Sequence, residues 1–81
     1  MVKLFTDGGA RGNPGPAAIG GVFYKGEDKI ADFSKYIGET TNNQAEYQAL
    51  EHGLKLAIKN NIKELECYLD SELVVKQLKQ E

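Results

Sequence analysis

Thr41-Asn42-Asn43-Gln44-Ala45-Glu46 opens a helix, and Leu65-Glu66-Cys67-Tyr68-Leu69-Asp70 follows it as a strand. The order of these two segments decides the fold. Thr41 supplies a hydroxyl at the cap position and Gln44, three residues on, reaches back, which is a capping box. Asn43 capping toward Glu46 fits nearly as well. Leu50, Gly53, Leu54, Ala57 and Ile58 then recur at helical spacing as far as about Asn60. Glu46 lies one turn before Leu50 on that stripe, a charge opening an apolar face. Over residues 63–69, Leu65, Cys67 and Leu69 alternate with Glu64, Glu66 and Tyr68. A helix placed between two strands permits a parallel crossover.

Three strands precede the helix. In residues 2–7, Val2, Leu4 and Thr6 oppose Lys3, Phe5 and Asp7, and Gly8-Gly9 closes the run. Residues 10–16 are dense in turn formers and read as a loop. Residues 17–25 place Ile19, Gly21 and Phe23 on one face, with Val22 and Tyr24 on the other. Lys25-Gly26-Glu27-Asp28 is a hairpin turn, and residues 29–37 form strand three, with Ala31, Phe33 and Ile37 on one side. Pairing strand four with strand one is the economical arrangement. The expected class is α/β: a mixed sheet with strands 1-2-3 antiparallel, strand 4 parallel to strand 1, and a second helix from about Ser71, apolar at Val74, Val75 and Leu78.

This topology brings Asp7, Glu46 and Asp70 to one corner, at the carboxyl edge of adjacent parallel strands where ligands of open α/β sheets gather. Carboxylates held together repel, and a divalent cation removes that repulsion. The expected cargo is Mg2+ or Mn2+, hard ions that take oxygen ligands, and the expected chemistry is metal-assisted phosphodiester hydrolysis. Singly, each acid has a plainer reading: Asp7 as a turn acid, Glu46 as a first-turn acid favoured by the helix dipole, Asp70 as the cap of the next helix. Those readings leave the convergence unexplained.

At 81 residues the chain is at most one domain. No apolar run approaches a membrane span, and the N-terminus meets Asp7 too early for a signal peptide. One cysteine, Cys67, excludes an intrachain disulfide and fits a cytoplasmic setting. A net charge of −2 argues mildly against tight general nucleic-acid binding, although bound cations offset it locally. Gly12-Asn13-Pro14-Gly15-Pro16 lacks the Gly-Lys-Ser/Thr ending of a phosphate loop. His52 reads as a solvated helix residue.

Phe5-Thr6-Asp7-Gly8-Gly9, Gly12-Asn13-Pro14-Gly15-Pro16, Thr41-Asn42-Asn43-Gln44-Ala45-Glu46 and Leu69-Asp70-Ser71-Glu72-Leu73-Val74 together resemble ribonuclease H type 1, nearest its compact, reverse-transcriptase-like branch. The resemblance runs the length of the chain. It implies an endonuclease that cuts the RNA strand of an RNA–DNA hybrid with paired Mg2+ ions. By position Asp7, Glu46 and Asp70 are the catalytic acids, and the same three together with Gly8 make up the metal site. Gly12, Asn13, Thr41, Asn42, Asn43 and Ser71 take the substrate-contacting places, which suits recognition of 2′-hydroxyls. A rigid turn is the plainer reading of residues 12–16. Glu72 stands where many members carry an uncharged amide.

The family pattern continues beyond Glu81 with a further strand and helix, a histidine-bearing loop and a fourth carboxylate. The chain therefore reads as a C-terminally truncated, partial ribonuclease H domain over 1–81. Two expectations follow: weak metal binding with slow or no cleavage by the chain alone, and an uncovered fourth strand that favours a homodimer, a swapped assembly or a partner. Two other function classes stay open. One is a non-catalytic hybrid-binding module; the other is a self-associating structural fragment of the fold.

Overall fold

The computed structural model describes residues 1–69 in full and the backbone of 72–77. Its elements are β1 (Val2–Ala10), β2 (Gly15–Lys25), β3 (Asp28–Thr40), α1 (Asn42–Lys59), β4 (Glu64–Leu69) and β5 (Glu72–Gln77). They form one sheet in the order β3-β2-β1-β4-β5. The β1–β2 and β2–β3 pairs are antiparallel and β1–β4 is parallel, with Val2 opposite Leu65 and Thr6 opposite Leu69. The mixed sheet expected from the crossover is present.

Strand parity follows the sequence. Val2, Leu4 and Thr6 are buried on the face that α1 covers, as are Ile19 and Phe23 of β2 and Leu65 and Cys67 of β4. Lys3, Phe5 and Asp7 turn to the other face, where Phe5 stacks on Tyr68 at 4.6 Å between ring centroids. The core is Val2, Leu4, Phe23, Ala57, Leu65 and Cys67, with Phe33, Leu50, Leu54, Leu56 and Ile62 packed around it. Leu4 is fully buried at its centre. Leu4→Ala is expected to cost about 2–5 kcal/mol, read as a lower denaturant midpoint at unchanged slope.

Several boundaries and faces differ from expectation. β1 does not stop at Gly8-Gly9: it pairs through Ala10, opposite Ala17, because β2 also starts earlier, at Gly15. Ala31 is exposed, since β3 is an edge strand that α1 barely reaches. On α1 the buried residues are Ala45, Ala49, Gly53 and Ala57, while Ile58 is 49% exposed. Small side chains win the central stripe because the helix lies close on the sheet: a Cβ at Gly53 would sit 2.6 Å from Leu4 Cδ2. The larger Leu50 and Leu54 flank the stripe. His52 is half-buried, its ring centroid 4.7 Å from that of Phe33, and is not simply solvated.

The helix expected from about Ser71 is replaced over 72–77 by β5, antiparallel to β4 with Leu69 opposite Glu72. Val74 and Val75 are β-branched and suit a strand, and pairing satisfies the backbone edge that β4 otherwise presents. β4 is thus paired on both sides, so the open edge expected at the fourth strand lies instead at β5, and the described residues give no support to the expected homodimer or swapped assembly. Among the described residues α1 is the one helix, and none is long and apolar enough to cross a membrane.

Candidate active site

The acidic corner is built from the end of β1 and the start of α1. Asp7 follows Thr6 in β1, and Glu46 lies one turn into α1. They border a single cleft of about 10 Å3, lined by Thr6, Asp7, Gly8, Glu46 and Leu69. That is close to the room one water molecule needs. Asp7 also edges a wider groove, about 510 Å3, on the open face of the sheet beside Phe5, Val22, Asp32 and Ser34. It is exposed, and Glu46 is half-buried.

Close packing fixes this convergence. A Cβ at Gly8 would overlap the carbonyl of Ala45 and lie 2.8 Å from the Glu46 nitrogen. The residue after Asp7 therefore touches the peptide before Glu46, and only glycine permits that approach. Gly8 and Ala45 thus bring the backbone segments that carry the two acids into contact.

The start of α1 is held by three side-chain bonds. Thr41 Oγ1 accepts from the Gln44 N–H at 3.2 Å, so Thr41 is the cap. Asn42 Oδ1 accepts from the Ala10 N–H at 2.6 Å, and Asn13 Oδ1 accepts from the Asn42 N–H at 3.0 Å. The loop between β1 and β2, which contains a cis Asn13–Pro14 peptide, is closed by a 2.8 Å bond from Arg11 N–H to Pro16 O. Strand end, loop and helix start form one tied unit, with Gly12, Asn13, Asn42 and Asn43 all exposed on it. Thr41→Ala is expected to cost about 0.5–2 kcal/mol, visible as faster amide exchange in the first turn of α1.

The structure thus brings together Asp7, Glu46 and Gly8, with Gly12, Asn13, Thr41, Asn42 and Asn43 at the adjoining loop and helix start. Asp70 and Ser71 lie outside the described residues; Leu69, the residue before Asp70, lines the cleft. Among the described residues no set of three His, Cys, Asp or Glu side chains forms a metal-binding group. The donors that are present, two carboxylates from separate elements on one small cleft, fit a hard divalent cation. Thr6 adds to this: it is 6% exposed, and its Oγ1 is buried with no hydrogen-bond partner among the described residues. Sequence reasoning passed over Thr6. The available signal was a polar residue on the inward parity of β1, directly before Asp7.

The model of the family described as "Reverse transcriptase-like" matches residues 5–81. The chain is similar to Ribonuclease HI of Halobacterium salinarum, 47% identical over 78 residues, covering 95% of this chain and 39% of that protein. It is 40% identical over 81 residues to Ribonuclease H of Thermoanaerobacter pseudethanolicus, covering 99% of this chain and 50% of the relative. Among solved structures, RNase H1 of H. salinarum superposes with a TM-score of 0.82 at 43% identity, over 88% of this chain and 55% of that one. LC11-RNase H1 in complex with an RNA/DNA hybrid gives 0.79 at 45% identity, over 89% and 56%. The chain spans about half the length, or less, of these relatives. By motif, topology and sequence, it belongs to the reverse transcriptase-like branch of the ribonuclease H family.

Proposed function

We propose that the protein hydrolyses the RNA strand of RNA–DNA hybrids, slowly where residues 1–81 act alone, that these residues form one partial ribonuclease H-like domain, and that Asp7, Glu46 and Asp70 are its metal-binding acids. The observation that carries this reading is the meeting of Asp7 and Glu46, from different elements, on one small cleft. Their oxygens suit Mg2+ first and Mn2+ second. Bound there, divalent ions supply Lewis acidity and charge neutralisation toward a phosphodiester.

The chain's own residues do the rest. Gly8 keeps the two acids at a fixed spacing. Asn13 and Asn42 spend their side-chain oxygens on the tie between loop and helix, which leaves their amide N–H groups, with Asn43, as donors facing solvent beside the cleft. Donors of that kind suit the 2′-hydroxyl and base-edge acceptors of a minor groove. The relative bound to a hybrid supports the choice of substrate. A single cysteine, itself buried, supports a reducing cytoplasmic setting.

The test is incubation of the protein with an end-labelled RNA–DNA hybrid, double-stranded RNA and double-stranded DNA, each with Mg2+, Mn2+ or chelator. Cutting confined to the RNA strand of the hybrid, slow for this chain alone and abolished by chelator, is expected. Cutting of the DNA strand, or cutting that survives chelation, would contradict the proposal.

A further inference from the structure

We infer that Thr6 is a positioning residue for Glu46: its hydroxyl donates a hydrogen bond to the Glu46 carboxylate when a divalent cation occupies the acidic cleft. This rests on the proposed metal site and adds a residue to it. Parity decides which acid Thr6 serves. Thr6 lies on the face of β1 that α1 covers, with Val2 and Leu4, whereas Asp7 turns the other way. The carboxylate that reaches the cleft from α1 is Glu46.

The hydroxyl is buried and has no partner among the described residues. Buried polar groups are rarely left so, and each exception calls for an explanation. Thr6 lines the cleft with Glu46, so a group that the cleft reorients on taking up a cation is within its reach. A carboxylate that binds a cation through one oxygen keeps lone pairs for a second donor. Such outer hydrogen bonds orient metal-binding acids and commonly change metal affinity by about 10–100-fold. In the cation-free protein a hydroxyl with no partner among the described residues is expected to contribute little, and an apolar group of the same shape to be tolerated or preferred.

These two conditions give opposite signs for one substitution. Thr6→Val and Thr6→Ser are compared with the wild-type protein by Mn2+ titration, followed by electron paramagnetic resonance, and by cation-free thermal unfolding. Expected are a Thr6→Val midpoint equal to or above wild type without cation, Mn2+ affinity weakened about 10-fold or more, and Thr6→Ser close to wild type. Unchanged Mn2+ affinity in Thr6→Val overturns the role of Thr6 and leaves the acidic site standing. A lower cation-free midpoint in Thr6→Val also overturns it, since the hydroxyl is then already bonded without metal. So does a Thr6→Ser variant as weak as Thr6→Val, which would make the methyl group the active part. Failure of the underlying site looks different: wild-type protein that takes up no Mn2+, or takes it up equally after Asp7→Asn, refutes the metal site and this inference with it.

Discussion

On the proposed function, Asp7→Asn is expected to lower hybrid cleavage about a thousandfold while hybrid binding persists. The substitution keeps the shape of the side chain but removes one of the charges that border the cleft. Cation catalysis of phosphodiester cleavage supplies several kcal/mol of charge stabilisation, and losing about 4 kcal/mol of it is roughly a thousandfold in rate. The contacts proposed for the substrate lie elsewhere, on the loop and helix start, so affinity measured in chelator should change little. Asp7 is exposed, so the folded state tolerates asparagine there. Single-turnover cleavage and filter binding with the same labelled hybrid separate the two effects. Loss of binding together with cleavage would make Asp7 a structural or substrate-contacting residue, not a metal-binding one. Persistence of cleavage would remove it from the chemistry.

Gly8→Ala has the second large effect, on fold and site together. The added Cβ meets backbone atoms of Ala45 and Glu46, which cannot rotate aside as a flexible side chain would. Overpacking of this kind costs about 1–3 kcal/mol, a large fraction of the stability of a small domain. Relief requires α1 to back away from β1, which separates Glu46 from Asp7. The variant should therefore lose Mn2+ affinity even under conditions where circular dichroism shows it folded. Gly9→Ala is the control, because the nearest atom to its new Cβ is Asn42 Oδ1 at 3.9 Å. It should leave both the denaturant midpoint and Mn2+ affinity near wild type. Equal behaviour of the two variants would show that close approach at Gly8 does not set the site.

The acidic pair was legible because two strong rules converge on it. Alternation in residues 2–7 and 63–69 gave both strands their faces, and the intervening helix made the second strand parallel to the first. Together these place the end of β1 and the start of α1 at one corner. What escaped had physical reasons. The central stripe of α1 is made of Ala45, Ala49, Gly53 and Ala57, and hydrophobic pattern weights Leu54 and Ile58 more than alanine. Close helix–sheet packing inverts that order. Val74 and Val75 fit a short helical stripe and a strand equally well, and a six-residue run carries too little periodicity to choose. The bonds from Asn13 to Asn42 and from Asn42 to Ala10 join residues far apart in sequence, so no local pattern announces them. Asp70, the third acid named from the sequence, lies outside the described residues.

Asp7 and Glu46 are proposed to hold a common cation. A double-mutant cycle on Mn2+ affinity tests it, using Asp7→Asn, Glu46→Gln and the double variant. Residues that share one ligand are non-additive. Each single variant should lose most of the affinity, and the double variant little more. Single variants that bind Mn2+ as the wild type does, or losses that simply add, would contradict it.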